Sequence, residues 1–381
     1  MSGSVVTGRD PASGEPIRVT MDGGRIASVE PATGFEDVWL APGLVDLQVN
    51  GFGGHDLNDV DLSPAKVGAL GAAMLAVGVT RFVPTLITAS EAVIVGNLRI
   101  IAAARDADPM LRAMIPYVHV EGPHIADRDG PRGAHPREHV RPCDVAEFDR
   151  WQDASGGLVG MVTLSPHEAS ALPYIAALRS QGVHVAIGHS DASAEQIHAA
   201  VDAGAVLSTH LGNGVAGTLA RHPNLLWAQL ADDRLTATFI ADGHHLPVDT
   251  LRAMIRAKGV DRSILVSDTV AIGGLAPGRY TTPVGGRVEL RADGRLGLVD
   301  APFLAGAALP LKDDVARAVR DADLSLAQAI KLATVNPARF TGGGGAIAVG
   351  ERADLIRFRW QTGDDALAID GCWLGGRPVH G

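Results

Sequence analysis

The sequence predicts an α/β protein, in which a TIM-type (β/α)8 barrel is accompanied by a small β-sandwich domain formed by both chain termini. Between residues 42 and 340, short apolar runs rich in β-branched residues alternate with stretches of helical periodicity. Eight such runs occur, and they are almost continuously apolar, as is typical of parallel strands buried on both faces. Eight strand–helix units in one stretch fit a closed barrel better than an open doubly wound sheet.

The predicted barrel elements follow one another in strict order. The strands cover residues 43–50, 79–86, 115–121, 159–164, 183–189, 205–210, 235–242 and 263–268. Helical patterns follow most of them, at residues 63–77, 89–105, 144–154, 168–180, 193–203, 248–258 and 311–320. The first helix opens with Ser63 and Pro64, a favourable N-cap and first-turn pair.

The N-terminal residues predict β structure outside the barrel. Residues 17–21 and 25–29 have strand character and flank Asp22-Gly23, a dipeptide that favours a tight hairpin turn. This end of the chain is therefore predicted to begin a separate sheet.

The C-terminal residues show the same character. Residues 354–360 and 366–369 predict strands, with a turn at Asp370-Gly371 and a last short strand beyond it. Gly342–Gly345 is predicted to be a linker or turn. We expect the two ends to pair into one small β domain of residues 1–41 and 344–381, beside a catalytic barrel of residues 42–343.

Composition and charge restrict the class of partner. Hydrophobic residues make up 46% of the chain and charged residues 20%, as in globular proteins. The net charge is -10 without any basic run, which argues against nucleic acid because phosphate contacts need clustered Lys and Arg. No apolar stretch is long enough to span a bilayer, so a membrane partner is not expected. Two distant cysteines, Cys143 and Cys372, and a start without a signal-peptide pattern favour the cytoplasm.

Ionisable residues stand at the ends of four predicted strands, where barrel enzymes place their catalytic groups. Glu121 ends the third strand, His189 the fifth, His210 the sixth and Asp268 the eighth. One histidine in an apolar context is usually a satisfied core residue, but four such residues are hard to explain by packing, because buried ionisable groups need partners. Two histidines and a carboxylate form a ligand set for catalytic zinc or a similar divalent ion.

Two further residues are candidates near this ligand set. Asp268 is the candidate general base, because a carboxylate facing the attacking water can take its proton and return it to a leaving amine. Its alternative roles are a fourth ligand or a helix cap. His119 precedes Glu121 by two residues and points to the same barrel face, so it is either a ligand or, preferably, a partner behind the ligands.

Short motifs also run in order along the whole chain. They are Pro42–Gly51, Pro84–Thr88, His119–Pro123, Gly133–Pro136, Gly188–Ser190, Thr209–Leu211, Ala241–His245, Ser267-Asp268, Leu304–Gly306, Asn336–Arg339 and the Gly350 to Leu355 segment. Together they resemble the N-acetylglucosamine-6-phosphate deacetylase family of the amidohydrolase superfamily.

The resemblance implies roles for individual residues. Glu121, His189 and His210 would bind one divalent metal ion, Asp268 would be the catalytic base and acid, and His135 would polarise the acetamide carbonyl. Substrate binding would fall to Ala134, Asn213, Gly214, Arg221, His245, Leu304, Ala305 and Gly306. Zinc is the favoured ion, with Fe²⁺, Mn²⁺ or Co²⁺ as alternatives at the same ligands. The resemblance also implies a homodimer with residues of one subunit near the other's site.

The first strand predicts a single metal ion. Most amidohydrolases have His-x-His there for a second metal, whereas this chain has Gln48 and Asn50, and neutral amides are poor ligands for zinc. A bridging carboxylated lysine is not expected either. The lysines of the chain, none at the end of a predicted strand, are Lys66, Lys258, Lys312 and Lys331.

The loops around the predicted sugar pocket depart from the family pattern. Gly212 and Gly214 flank Asn213 where an aromatic residue and Ala are usual, and His222-Pro223-Asn224 follows Arg221 where Glu-Pro-Gly is typical. Thr269 replaces the usual Ala after Asp268, and Ala307 replaces a usual Ser. An exposed loop arginine is usually solvated, so the phosphate-binding role of Arg221 rests on the resemblance alone.

The leading hypothesis is hydrolysis of N-acetylglucosamine 6-phosphate to glucosamine 6-phosphate and acetate. One alternative is a single-metal amidohydrolase that deacylates another N-acyl amino sugar or an N-acyl amino acid derivative. A second alternative is a catalytically silent barrel used for binding or assembly, against which the retained ligand set and Asp268 speak. Dihydroorotase-like or dipeptidase-like chemistry is disfavoured, because the two-metal ligand set is missing.

Overall fold

The predicted barrel strands form one eight-stranded sheet in a computed structural model that describes residues 4–34, 37–282, 286–299 and 304–380. The strands are β1 (Ser4–Arg9), β2 (Pro16–Asp22), β3 (Arg25–Pro31), β4 (Trp39–Pro42), β5 (Leu44–Val49), β6 (Gly51–Phe52), β7 (His55–Asp56), β8 (Val79–Ile87), β9 (Val118–Glu121), β10 (Val159–Leu164), β11 (His184–Ile187), β12 (Leu207–Ser208), β13 (Thr236–Phe239), β14 (Ser263–Leu265), β15 (Gly278–Thr282), β16 (Gly286–Leu290), β17 (Leu296–Leu298), β18 (Leu355–Arg359), β19 (Ala368–Leu374) and β20 (Arg377–His380). The α-helices are α1 (Pro64–Ala76), α2 (Glu91–Ala107), α3 (Pro109–Met114), α4 (Val145–Ser155), α5 (Ala171–Ser180), α6 (Ala194–Ala203), α7 (Leu225–Ala231), α8 (Val248–Lys258), α9 (Leu311–Asp321), α10 (Leu326–Leu332) and α11 (Val335–Ala338).

The barrel sheet runs β5-β8-β9-β10-β11-β12-β13-β14, with every neighbouring pair parallel. All eight predicted strands and all seven predicted helices are therefore confirmed. Backbone hydrogen bonds beyond β14 bring its end to β5: the Asp268 amide donates to the Gln48 carbonyl at 3.0 Å, and the Asn50 amide to the Thr269 carbonyl at 2.9 Å. The barrel is thus closed at the carboxyl ends of its strands.

Apolar side chains fill the barrel interior, and a polar side chain caps the first barrel helix. Alternate residues of the barrel strands, among them Val45, Val83 and Ile264, form an apolar cluster separate from the main core, as expected for a packed barrel interior. The side chain of Ser63 accepts a hydrogen bond from the Lys66 amide at the start of α1, as its N-cap position predicts.

Both chain ends meet in one seven-stranded sheet, ordered β20-β19-β18-β4-β1-β2-β3. Its hairpin between β2 and β3 turns at Gly23 and Gly24, whose φ angles of 56° and 81° suit glycine. The sheet has its own apolar cluster, which includes Val19, Leu40 and Leu355. The terminal β domain is therefore confirmed, while its limits at residues 41 and 344 stay a prediction.

The predicted turn at Asp370-Gly371 is wrong. Both residues lie inside β19, where Asp370 accepts a hydrogen bond from Arg357 of the paired strand at 2.7 Å. The chain reverses instead at Gly375 and Gly376, which have φ angles of 55° and 74°. This glycine pair is the better turn former, because it adopts positive φ angles without steric cost.

Several elements were not predicted. They include the short helices α3, α7, α10 and α11 and a separate antiparallel sheet of β15, β16 and β17 between β14 and α9. Within the described ranges, no helix is both long and apolar enough to cross a membrane.

Asp314, in the first turn of α9, is expected to lower stability. It is fully buried, and neither carboxylate oxygen has a hydrogen-bond partner among the described residues. Burial, followed by the charges of Asp242 and Asp313, raises its pKa well above the usual value. The folded protein therefore keeps a proton that the unfolded chain has lost, and the stability contribution of this group falls as the pH rises.

Asp314→Ala is accordingly expected to raise the free energy of unfolding at pH 8 by about 1–3 kcal/mol, with a smaller gain at pH 4. Thermal melts at the two pH values measure this difference. Asp249→Ala is the control, because Asp249 is an exposed acidic residue in the first turn of α8 and should give no such gain. A lower melting temperature for Asp314→Ala at pH 8 would contradict the expectation.

Candidate metal centre

The four predicted strand-end residues converge at the carboxyl end of the barrel, where Glu121, His189 and His210 are buried and Asp268 is half-buried. Glu121 is the last residue of β9, while His189 and His210 each follow their strand by two residues. Nε2 of His210 lies 3.0 Å from Oε1 of Glu121 and 3.1 Å from Nε2 of His189. One ligand atom from each of these three residues falls within 4.8 Å of the other two. The three side chains therefore form a compact cluster that could hold a metal ion.

The backbone turns sharply at three of the four residues. His189, His210 and Asp268 have φ angles of 47°, 30° and 50°. In the described part of the chain, Asp323 is the one other non-glycine residue with a positive φ. Side chains at positive φ angles are strained and persist only where the surroundings hold them, and such residues cluster at functional sites.

The donor set fits a divalent cation. Nδ1 of His189 lies 2.9 Å from the Pro131 carbonyl, so Nδ1 carries the proton and the lone pair of Nε2 faces the cluster. Burial by itself would raise the pKa of Glu121, but the His189 and His210 imidazoles hold it well below its usual range. An ionised carboxylate and two imidazole nitrogens are typical ligands of zinc and related ions.

The amides of Gln48 and Asn50 are used as hydrogen-bond donors. Nε2 of Gln48 donates to Oε1 of Glu121 at 3.0 Å, and Nδ2 of Asn50 donates to Oδ1 of Asp268 at 2.7 Å. His119 lies behind the cluster, with its ring nitrogens 2.7 Å from Thr163 Oγ1 and 3.4 Å from Thr85 Oγ1. These contacts hold the site residues in place and agree with a single-metal centre.

Asp268 is half-buried and lines the same cavity beside the ligand cluster. Burial, followed by the negative charge of Glu121, raises the pKa of Asp268 to about 6. A carboxyl group with a pKa close to neutrality can both take and return a proton, which suits a general acid and base.

His135 faces the same space from the loop after β9. Its Nε2 lies 3.2 Å from Nε2 of His189, and its Nδ1 lies 2.8 Å from Thr88 Oγ1. When the Thr88 hydroxyl donates to Nδ1 rather than to the Glu121 carbonyl 3.5 Å away, the imidazole proton is on Nε2. Burial lowers the pKa of His135 to about 3, so the ring is neutral at physiological pH.

The cluster opens into a cavity of about 830 Å³. All but one of the predicted substrate-binding residues line it: Ala134, Asn213, Gly214, His245, Leu304, Ala305 and Gly306. His245 is held by a 2.7 Å contact between its Nδ1 and Oδ2 of Asp242. Arg221 is exposed and does not line the cavity. The structure thus brings most of the predicted pocket together and leaves Arg221 outside it.

Some residues of the cavity were not predicted from the sequence. One wall is apolar and includes Val288, Leu296 and Leu298 from the β15–β17 sheet. Arg132 lines another part, where its guanidinium donates to the His135 carbonyl at 2.7 Å and to Asp129 at 2.5 Å. The signal for Arg132 was its position three residues before His135 in the same loop.

The chain is similar to known proteins over nearly its whole length. The sequence profile of the amidohydrolase family matches residues 39–379. The N-acetylglucosamine-6-phosphate deacetylase of Vibrio furnissii is 31% identical over 363 residues, which cover 94% of this chain and 86% of that protein. The N-acetylgalactosamine-6-phosphate deacetylase of Escherichia coli O157:H7 is also 31% identical over 363 residues, covering 93% and 92%. A mutant N-acetyl-D-glucosamine-6-phosphate deacetylase from Mycobacterium smegmatis, solved in complex with N-acetyl-D-glucosamine-6-phosphate, has a TM-score of 0.88 and 27% identity over 100% of both chains.

Proposed function

The chain belongs to the amidohydrolase family, and from this premise we propose that it removes the N-acetyl group from N-acetylglucosamine 6-phosphate, giving glucosamine 6-phosphate and acetate. The convergence of Glu121, His189 and His210 beside Asp268 is the observation that carries this proposal. The names of relatives at 30% identity or more over most of the chain support the substrate class.

Glu121, His189 and His210 would hold the metal ion, and we propose zinc because this ligand set is one that zinc prefers. Iron, manganese and cobalt are the alternatives at the same ligands. When bound, a divalent cation supplies Lewis acidity that activates water and stabilises negative charge on the carbonyl oxygen.

The residues around the cluster would carry the proton transfers. Asp268 takes a proton from the attacking water as the new C–O bond forms. The Nε2–H group of His135 donates to the acetamide oxygen as negative charge develops there, an effect worth about 3–4 kcal/mol for one good donor. Asp268 then gives its proton to the nitrogen as the C–N bond breaks, which leaves a free amine and acetate.

The remaining cavity residues would bind the sugar phosphate. We propose that Ala134, Asn213, Gly214 and His245 contact its polar groups and that Leu304, Ala305 and Gly306 line the pocket. Arg221 is proposed to bind the phosphate from the exposed loop.

A homodimer, as the resemblance implies, would place exposed residues of one subunit near the other's cavity. A cytoplasmic location is proposed as well, and the free thiols of Cys143 and Cys372 support a reducing compartment.

N-acetylgalactosamine 6-phosphate is a second candidate substrate. A relative named for that activity is as similar to this chain as a relative named for the glucosamine epimer. The two sugars differ only at C4, so the acetamide and phosphate would occupy the same places in the cavity.

A substrate panel tests the proposal. Acetate release is measured for the metal-loaded enzyme with both N-acetylhexosamine 6-phosphates, with unphosphorylated N-acetylglucosamine and with an N-acetyl amino acid. The phosphorylated sugars are expected to give kcat/KM values about 100-fold or more above the others, because a bound phosphate contributes charge-assisted hydrogen bonds. Equal rates with and without phosphate would favour a different N-acyl substrate. Failure of the metal-loaded protein to hydrolyse any of them would favour a binding role.

A further inference from the structure

A buried carboxylate on β5 lies beside the segment that carries Asp268 and has no part in the proton transfers proposed for that residue. Asp46, on β5, has no exposed surface and does not line the cavity. Its Oδ1 accepts hydrogen bonds from the Ser267 amide at 3.2 Å and the Gln48 amide at 3.3 Å. Its Oδ2 accepts a 2.5 Å hydrogen bond from the Ser267 hydroxyl. Two of the three bonds therefore reach the residue immediately before Asp268.

Ser267 extends this contact to the far side of Asp268. Its Oγ accepts a hydrogen bond from the Thr269 amide at 3.3 Å, and the Asp268 amide itself donates to the Gln48 carbonyl at 3.0 Å. The backbone on both sides of Asp268 is thus tied to β5, with Asp46 at the centre of the arrangement. These bonds account for how Asp268 is held at a φ angle of 50°.

A buried carboxylate at position 46 lowers the stability of the fold, so packing alone does not account for it. The three groups that donate to it are neutral, and Asp268 is a second carboxylate close by. Burial raises the pKa of Asp46 to about 7, which reflects the penalty of placing a carboxylate there. An apolar side chain would avoid that penalty, but it could not accept hydrogen bonds from an amide and a hydroxyl of the same residue.

We propose that Asp46, acting through Ser267, is a positioning residue that fixes the backbone and carboxylate of Asp268 for proton transfer. The proposal rests on the acid–base role of Asp268 in the proposed function. Without these hydrogen bonds, the backbone at Asp268 would relax toward an unstrained φ angle and move its carboxylate away from the attacking water. The metal ligands stand on other strands and should keep their places.

Ser267→Ala is the main test, and Ser263→Ala is its matched control, because Ser263 is an equally buried serine on β14 whose hydroxyl donates to the Gly259 carbonyl. We expect Ser267→Ala to lower kcat for N-acetylglucosamine 6-phosphate by about 10- to 100-fold, the size of effect produced by a small displacement of a reacting group. KM and metal content should stay within twofold of wild type. Asp46→Ala should show a larger loss, and Asp46→Asn, which keeps one oxygen for the two amides, a smaller one.

Backbone mobility provides a readout that does not depend on activity. In the metal-free protein, amide hydrogen exchange of the 266–270 segment should be faster in Ser267→Ala than in wild type, and unchanged in Ser263→Ala. Unchanged kcat in a folded Ser267→Ala protein would overturn the proposal, as would a parallel loss of metal and activity. If wild type fails to hydrolyse the substrate while the exchange difference is present, the proposed function is wrong. The hydrogen bonds from Asp46 and Ser267 would still hold the backbone at Asp268.

Discussion

Replacing Asp268 with Asn is expected to lower kcat for acetate release by about 1,000-fold or more, while the metal content of the protein stays that of wild type. The amide has the shape of the carboxylate but cannot take a proton from water. Asn50 donates to one oxygen of Asp268, and the carbonyl oxygen of the new amide can accept the same bond. The geometry should therefore persist without the acid–base function. Steady-state kinetics and metal analysis of the purified variant measure the two quantities.

Asp249→Asn is a suitable control for that experiment, because it makes the same chemical change at an exposed position on α8. Its kcat should match that of wild type. Turnover at the wild-type rate by Asp268→Asn would show that another group transfers the proton. Loss of metal together with activity would indicate instead that Asp268 is a ligand, the alternative role considered for it.

Replacing Glu121 with Gln is expected to remove metal and activity together. The neutral amide is a poor ligand, and it takes away the negative charge that the two imidazoles face at 3.0–3.4 Å. We expect metal affinity to fall by about 100-fold or more, and acetate release to fall with it. Metal content after gel filtration and kinetics across a range of added Zn²⁺ measure both effects.

Comparing the Glu121 and Asp268 variants distinguishes a metal ligand from a proton-transfer residue. High Zn²⁺ concentrations should recover part of the activity of Glu121→Gln and none of the activity of Asp268→Asn. Glu195→Gln is the control, because Glu195 is an exposed carboxylate in the first turn of α6. A full complement of tightly bound metal in Glu121→Gln would remove Glu121 from the ligand set.

The barrel and its reactive residues could be predicted because their signals are local. A strand buried on both faces is a continuous apolar run, and an ionisable residue that ends such a run is visible in the sequence without knowledge of its neighbours. Parallel strands then bring their carboxyl ends to one face of the barrel, which explains why Glu121, His189, His210 and Asp268 meet.

The walls of the cavity were harder to predict, because they depend on how loops fold over the barrel. The antiparallel sheet that supplies Val288 and Leu296 did have a signal, since Asp293-Gly294 lies between residues of alternating polarity. No pattern of alternating polarity or helical periodicity indicated where Arg132 and Arg221 would point. Whether a loop arginine faces a pocket or solvent is decided by the loop's conformation, which hydrophobic periodicity does not describe.

The left-handed backbone at His189, His210 and Asp268 has a consequence for attempts to make this protein more heat-resistant. Each such residue carries torsional strain of about 1–3 kcal/mol that glycine would relieve. Selection for melting temperature alone would therefore reward glycine at the very positions that hold the cation and move the proton. A screen for thermostable variants would therefore select stable but inactive proteins unless turnover were selected at the same time.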